Sequence, residues 1–264
     1  MRLVAPALLL WSPAVLAHNP FTSTGEDQLA AALTGILLLG YWGLYTWGSW
    51  RTRPSPARQV TFHVTAVLAF AALLGPLDDW AKTSTAAHMT QHMLLMVVIA
   101  PLWVLCRPLP QLTAVSGRFL TRLWRPGLQL AGKPMLAAYV HGFMIWFWHL
   151  PYFYMLAVEN VWWHAFEHAC FLITAGIFWW AVLRASSART PWVLVALLFT
   201  LMHTGFLGAI LTFANSPLYG EARSLQDQQL AGLIMWVAAA VPYILGCTWA
   251  GYRGYQQLVR AHHL

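Results

Sequence analysis

Long apolar runs separated by short polar segments dominate this chain. Each run approaches the roughly 20 residues that an α-helix needs to cross the hydrocarbon core of a bilayer. Proline and glycine residues lie at the ends of the runs, where they favour turns. The pattern predicts an all-α fold, a polytopic membrane bundle of seven transmembrane helices. The predicted spans lie at 28–49, 60–77, 87–106, 134–150, 161–183, 191–213 and 229–251.

Residues 1–17 have the pattern of a signal peptide. Arg2 precedes a short apolar stretch, and Val15-Leu16-Ala17 resembles a small-residue cleavage site. We therefore expect cleavage after Ala17, with residues 18–264 forming a single integral membrane domain and His18 at the mature N-terminus. An uncleaved N-terminal anchor is the alternative.

The composition excludes several classes of protein. Of the 264 residues, 59% are hydrophobic and 9% are charged, whereas a soluble domain is about 25% charged. Disorder needs low hydrophobicity and is excluded. The net charge of +7 is spread over short loops, so no nucleic-acid partner is expected. Three widely spaced cysteines cannot form a complete set of disulfides.

The basic residues predict the orientation. Twelve of the 15 Lys and Arg residues lie in the segments 50–59, 107–133, 184–190 and 252–264. Lys82 and Arg223 lie on the other side, and Arg2 lies in the leader. The positive-inside rule then places the C-terminus in the cytoplasm and the mature N-terminus outside.

The histidines carry the candidate chemistry. His88 and His92 are spaced i, i+4 at the start of the third span, and His164 and His168 repeat this spacing in the fifth. Ionisable residues inside spans usually face a functional site, and imidazole is the commonest metal-ligating side chain. These four are the predicted core ligands of a metal site at the outer face. Candidates for a second or transfer position are His149, His203 and His18.

Neighbouring residues favour copper, as Cu(I) or Cu(II), with zinc less favoured. Met89 directly follows His88 and Met93 directly follows His92, and thioethers select Cu(I). Both are candidates for transient Cu(I) capture. Glu167 is expected to point away from the imidazoles, as an outer partner or a surface acid, because it is rotated by about 100° from His168. Asp78 and Asp79 are expected to orient rings or attract cations.

Two alternative functions remain open. The sequence His164-x-x-Glu167-His168 matches a zinc hydrolase motif in which glutamate is the general base. Ligation of haem by two histidines is the other, although it leaves the i, i+4 doubling unexplained. No nucleophile stands out, which favours a non-enzymatic carrier.

Several motifs resemble the multi-pass CtaG family of cytochrome c oxidase assembly factors. They are His88-x-x-x-His92 with Ala100-Pro101-Leu102, Trp148-His149-x-Pro151-x-x-Tyr154, His164-x-x-Glu167-His168, Leu211-Thr212-Phe213-Ala214 with Pro217-Leu218-Tyr219, and Gln229-x-Ala231-Gly232-x-x-Met235-Trp236. The resemblance implies a plasma-membrane protein that helps to mature haem–copper oxidases and handles copper. The expected partners are oxidase subunits, an extracytoplasmic copper donor and the lipid bilayer. The family's histidine positions match His88, His92, His149, His164, His168 and His203.

Overall fold

The computed structural model describes residues 24–220 and 223–262, in which all regular secondary structure is helical. The predicted leader and His18 lie outside the described residues. In chain order the helices are α1 (Gly25–Arg51), α2 (Pro56–Leu74), α3 (Pro76–Thr83), α4 (Thr85–Met93), α5 (Ala100–Cys106), α6 (Leu109–Ser116), α7 (Arg118–Ala131), α8 (Pro134–Trp148), α9 (Pro151–Glu159), α10 (Val161–Leu183), α11 (Thr190–Phe213), α12 (Leu225–Leu233) and α13 (Ala240–His262). The π-helical segments Leu94–Ile99 and Ile234–Ala238 join α4 to α5 and α12 to α13, so each pair forms one continuous rod.

Six stretches in the described residues are long and apolar enough to cross a membrane. They are Gly25–Arg51, Pro56–Thr83, Thr85–Cys106, Val161–Leu183, Ser187–Phe213 and Leu225–Arg260. The all-α membrane fold is therefore confirmed. The fourth predicted span corresponds to α8, which has 15 residues and a length of about 22 Å at 1.5 Å per residue. The seven-span count thus stays a prediction.

Helix α8 nevertheless runs antiparallel to α10 through the bundle. Near its start, Ala137 packs with Ala181 of α10. At its end, the ring of Trp148 contacts Phe166 near the start of α10. The last residue of α8 is followed by His149, which is thereby placed beside the first turns of α10.

The sequence pattern missed two local features. The predicted span 60–77 is divided at Gly75 into α2 and α3, because Pro76 has no N–H to continue the helical hydrogen bonding. The segment 107–133, predicted only as a connection, contains α6 and α7. Helix α7 exposes Phe119 and Leu123, and this amphipathic pattern is too short to be read as a span.

The most buried helices form the centre of the bundle. The continuous rod Thr85–Cys106 and helix α10 bury more of their surface than α1 or α2. Their contact contains Phe171, and the indole N–H of Trp179 donates to the carbonyl of Met96 at 2.9 Å. The polar residues of these two helices therefore face protein rather than lipid.

A short polar network fixes the start of α4. Ser84 accepts from the backbone N–H of Ala87 and donates to Asp227 of α12 at 2.9 Å. The Asp227 carboxylate also accepts from the backbone N–H of Thr85. Arg223 donates to the carbonyl of Lys82 at 2.8 Å. Because carboxylates stabilise helix N-termini, these contacts hold the first turn of α4 in place.

Candidate metal centre

Two pairs of imidazoles face each other across the contact between α4 and α10. The ring centroids of His88 and His92 are 4.2 Å apart, and those of His164 and His168 are 4.1 Å apart. Across the two helices, His88 lies 5.0 Å from His164 and His92 lies 5.5 Å from His168. All four residues are buried. The structure therefore brings the four predicted core ligands together.

Glu167 occupies the centre of this group. It is fully buried, with Oε2 at 3.3 Å from Nε2 of His88 and 3.5 Å from Nε2 of His92. The expectation that it points away from the imidazoles is wrong. The side of α10 that faces α4 is wide enough to include both Glu167 and His168, despite their angular separation on the helix.

Two overlapping sets of donor atoms could each hold a metal ion. In each set, one ligand atom per residue lies within 4.8 Å of those of the other members. The first set, called here the inner position, consists of His88, His92, His164 and Glu167. The second, called here the Asp78 position, consists of Asp78, His164 and His168.

Asp78 is held in place by an amide. It is buried at the start of α3, and Oδ1 lies 3.8 Å from Nδ1 of His164. The side-chain amide of Gln91 donates to the same Oδ1 at 2.6 Å and to the carbonyl of Ala72 at 2.8 Å. Gln91 thus fixes the carboxylate against the histidines from the α4 side.

The centre contains an unusual number of buried polar atoms without hydrogen-bond partners. Within the described ranges these atoms are Nδ1 of His88, both ring nitrogens of His92, Nε2 of His149, His164 and His168, and Oε1 of Glu167. Most buried polar atoms in proteins are paired, and each unpaired one costs about 1–3 kcal/mol. Each neutral imidazole offers one lone pair, so a bound cation would satisfy several of these atoms at once, and the residues present suit a metal ion.

His149 is oriented as a further ligand would be. Its Nδ1 donates to the carbonyl of Ile145 at 2.7 Å, which leaves a lone pair on the buried Nε2. Backbone carbonyls commonly orient metal-ligating histidines in this way. The ring lies 6.2 Å from that of His92, so His149 is next to the inner position but is not one of its four members.

The remaining predicted site residues are placed differently. His203 packs on α11 against Gly142 and the ring of Phe199, and it belongs to neither donor set among the described residues. Met89 and Met93 are buried in the main hydrophobic core. Their predicted role in Cu(I) capture stays a prediction.

The outer wall of the centre is formed by residues that no sequence pattern predicts. The ring of Tyr154 stacks on His88 at 5.0 Å, and its hydroxyl accepts from Arg223 at 3.2 Å. Burial raises the pKa of Tyr154 to about 12, so this phenol stays protonated at neutral pH. Tyr154 belongs to the motif Trp148-His149-x-Pro151-x-x-Tyr154, but its contact with His88 depends on tertiary packing and has no local sequence signal.

A polar cavity leads to the centre between α3, α9 and α10. It has a volume of about 170 Å³ and is lined by Asp27, Lys82, Glu159, His88 and His164 among others. Lys82 and Asp27 form a partly exposed ion pair at 2.9 Å. Because Lys82 compensates the charge of Asp27, the net acidic charge near this opening comes from Glu159, and it favours the approach of cations.

These features define a class: a helical membrane protein whose central helices bury a histidine and glutamate group able to hold a metal ion. The family model for the cytochrome c oxidase caa3 assembly factor, Caa3_CtaG, matches residues 43–257. The chain therefore belongs to the caa3 oxidase assembly factor family, which confirms the resemblance seen in the motifs. This role implies contact with oxidase subunits and lipid, and it indicates a non-enzymatic function. No curated protein and no solved structure matches the chain.

Proposed function

We propose that this assembly factor binds copper at the outer face of the plasma membrane and delivers it to a nascent haem–copper oxidase subunit. The observation that supports this most strongly is the concentration of unpartnered imidazole nitrogens and a carboxylate oxygen in one buried centre. A protein gains nothing in stability from such a group unless an ion satisfies it. The ion is the cargo of the protein in this proposal.

The donor atoms and the family together favour copper. Imidazole nitrogen suits copper, zinc, iron and nickel, so the ligands alone admit several metals. The family assembles an oxidase, and an oxidase of the haem–copper type needs copper to mature. Zinc is the less favoured cargo because it would not serve that maturation.

The ring packing argues against haem. The imidazoles of facing helices have centroid distances of 5.0 and 5.5 Å. A porphyrin ligated from both sides needs an open slot between two rings, and these rings contact each other instead. Among the alternatives, the zinc hydrolase remains the one that the position of Glu167 can accommodate.

The proposed route begins outside the membrane. The charge distribution predicts that the histidine end of the bundle faces outward. Copper from an extracytoplasmic donor would then enter through the polar cavity lined by Asp27 and Glu159. The inner position would take it up through His88 and His164, which line that cavity.

Competition for Cu(I) tests the proposal. The detergent-extracted protein is titrated against the chromophoric chelator bathocuproine disulfonate, and we expect one tightly bound equivalent. The double variant His88→Ala, His92→Ala should lose this tight binding, since a metal site weakens by about 10- to 100-fold even when an outer-shell partner is removed. His63→Ala is the matched control, because the ring of His63 accepts a hydrogen bond from Trp42 and lies outside the centre.

Metal analysis of the extracted protein can give results that contradict the copper proposal. Stoichiometric zinc without copper would contradict the copper proposal and favour the hydrolase. A haem absorption spectrum that disappears in His168→Ala would contradict both. Equal Cu(I) affinity in the wild type and in His88→Ala, His92→Ala would place the copper elsewhere.

A further inference from the structure

We infer that the centre provides two successive positions for one copper ion, which share His164 and open on different sides of α10. This inference depends on the proposed function, because it takes copper as the cargo. The inner position combines three imidazoles with Glu167, and the Asp78 position combines two imidazoles with Asp78. His164 is the only residue common to the two sets in the described part of the chain.

The chemistry of imidazole makes the two positions exclusive. A neutral imidazole has one nitrogen lone pair available to a metal, since its other nitrogen carries a proton. His164 can therefore ligate one ion at a time. The ion must leave one set of ligands to complete the other, and His164 links the two sets during that exchange.

Each position borders its own cavity. The polar cavity of about 170 Å³ reaches His88 and His164 of the inner position. A second cavity of about 240 Å³ lies between α1, α2 and α10 and reaches Asp78, His164 and His168. The remaining lining of this second cavity is mostly apolar, with residues such as Leu38, Leu74 and Leu172.

The surroundings of the two cavities differ, and this difference assigns the direction in which copper moves. The polar cavity is lined by the Asp27–Lys82 ion pair and by Glu159, so it is polar with a net acidic charge and suits uptake of a hydrated cation. The second cavity is bordered by α1 and α2, the two candidate spans that are least buried in the bundle. Copper is loaded at the inner position and leaves from the Asp78 position, on the side of α1 and α2.

A variant that lacks the inner position allows copper binding at the Asp78 position to be measured separately. In His88→Ala, His92→Ala all three ligands of the Asp78 position remain, so we expect weaker residual binding of one Cu(I). Adding Asp78→Asn should reduce that residual affinity by a further 10-fold or more. Adding Asp79→Asn is the matched control, because Asp79 is the adjacent acid on α3 and belongs to neither set. It should leave the residual affinity unchanged.

Asp78→Asn keeps an oxygen that can accept from Gln91 and so preserves the local packing. Helix content by circular dichroism and a monodisperse elution profile verify folding for every variant. Equal residual affinity with Asp78→Asn and with Asp79→Asn would overturn the two-position inference, as would two Cu(I) bound at once to the wild type. Absence of Cu(I) binding in the wild type would overturn the proposed function itself.

Discussion

The histidines of the centre differ from those elsewhere in the bundle in what surrounds their ring nitrogens. The ring of His63 accepts from the indole N–H of Trp42 at 2.8 Å. His141 pairs with the hydroxyl of Thr174 at 3.0 Å, and that hydroxyl donates its own proton to the carbonyl of Cys170. Nδ1 of His141 must therefore be the donor in this pair. Each of these two rings has a protein partner on Nδ1, while Nε2 of His141 is buried without one in the described residues.

In the centre, by contrast, the rings of α4 and α10 face one another and Glu167 rather than separate hydrogen-bonding partners. Burial alone therefore does not distinguish a structural histidine from a ligand, because His141 is as buried as His92. What distinguishes them is whether the unpartnered ring nitrogens lie together with further ligand atoms, as they do in the centre, whereas His141 belongs to neither donor set of the described residues. The following predictions test this distinction.

The largest effect is expected for loss of both rings on one helix. His164→Ala, His168→Ala removes members of both donor sets, so oxidase activity in cells that carry it should fall to the level of cells lacking the protein. His63→Ala, at equal protein level by immunoblot, should support full oxidase activity. Substantial activity in the double variant would contradict the role assigned to α10.

An intermediate effect is expected for Glu167→Gln. The carboxylate belongs to the inner position, so its neutral isostere should weaken Cu(I) binding by about 10- to 100-fold. Oxidase maturation should fall only in part, because the imidazoles remain. If the variant abolishes maturation yet retains full metal binding, a proton-transfer role like that of a hydrolase must replace the carrier mechanism.

A smaller effect is expected for His149→Ala. Its Nε2 is unpartnered within the described residues, but the residue lies outside both donor sets. We expect Cu(I) affinity to fall by less than that of Glu167→Gln, as measured by the same chelator competition. An effect as large as that of His164→Ala, His168→Ala would make His149 a core ligand.

The smallest effect on copper is expected for His63→Ala itself. Loss of the hydrogen bond to Trp42 should lower the stability of the bundle by about 1 kcal/mol, visible as a modest decrease in thermal unfolding temperature. Cu(I) affinity should not change. A change in affinity without a loss of stability would contradict the structural role of this histidine.

The sequence predicted the two histidine pairs because i, i+4 spacing is a local property of a helix. The prediction for Glu167 was wrong, because whether its side chain faces the imidazoles depends on how α4 packs against α10. The expected depth of His203 in the membrane grouped it with the other candidate ligands, whereas the packing of α11 places its ring beside Gly142. The contacts of Gln91 and Tyr154 likewise link residues distant in sequence, so no periodicity could predict them.

X-ray absorption at the copper edge of the Cu(I)-loaded wild-type protein tests the central claim most directly. The account predicts nitrogen and oxygen neighbours only, with the imidazole scattering pattern reduced in His88→Ala, His92→Ala. Sulfur neighbours would place the ion at Met89, Met93 or a cysteine instead, and would contradict the assignment of the buried histidine and glutamate group as the copper centre.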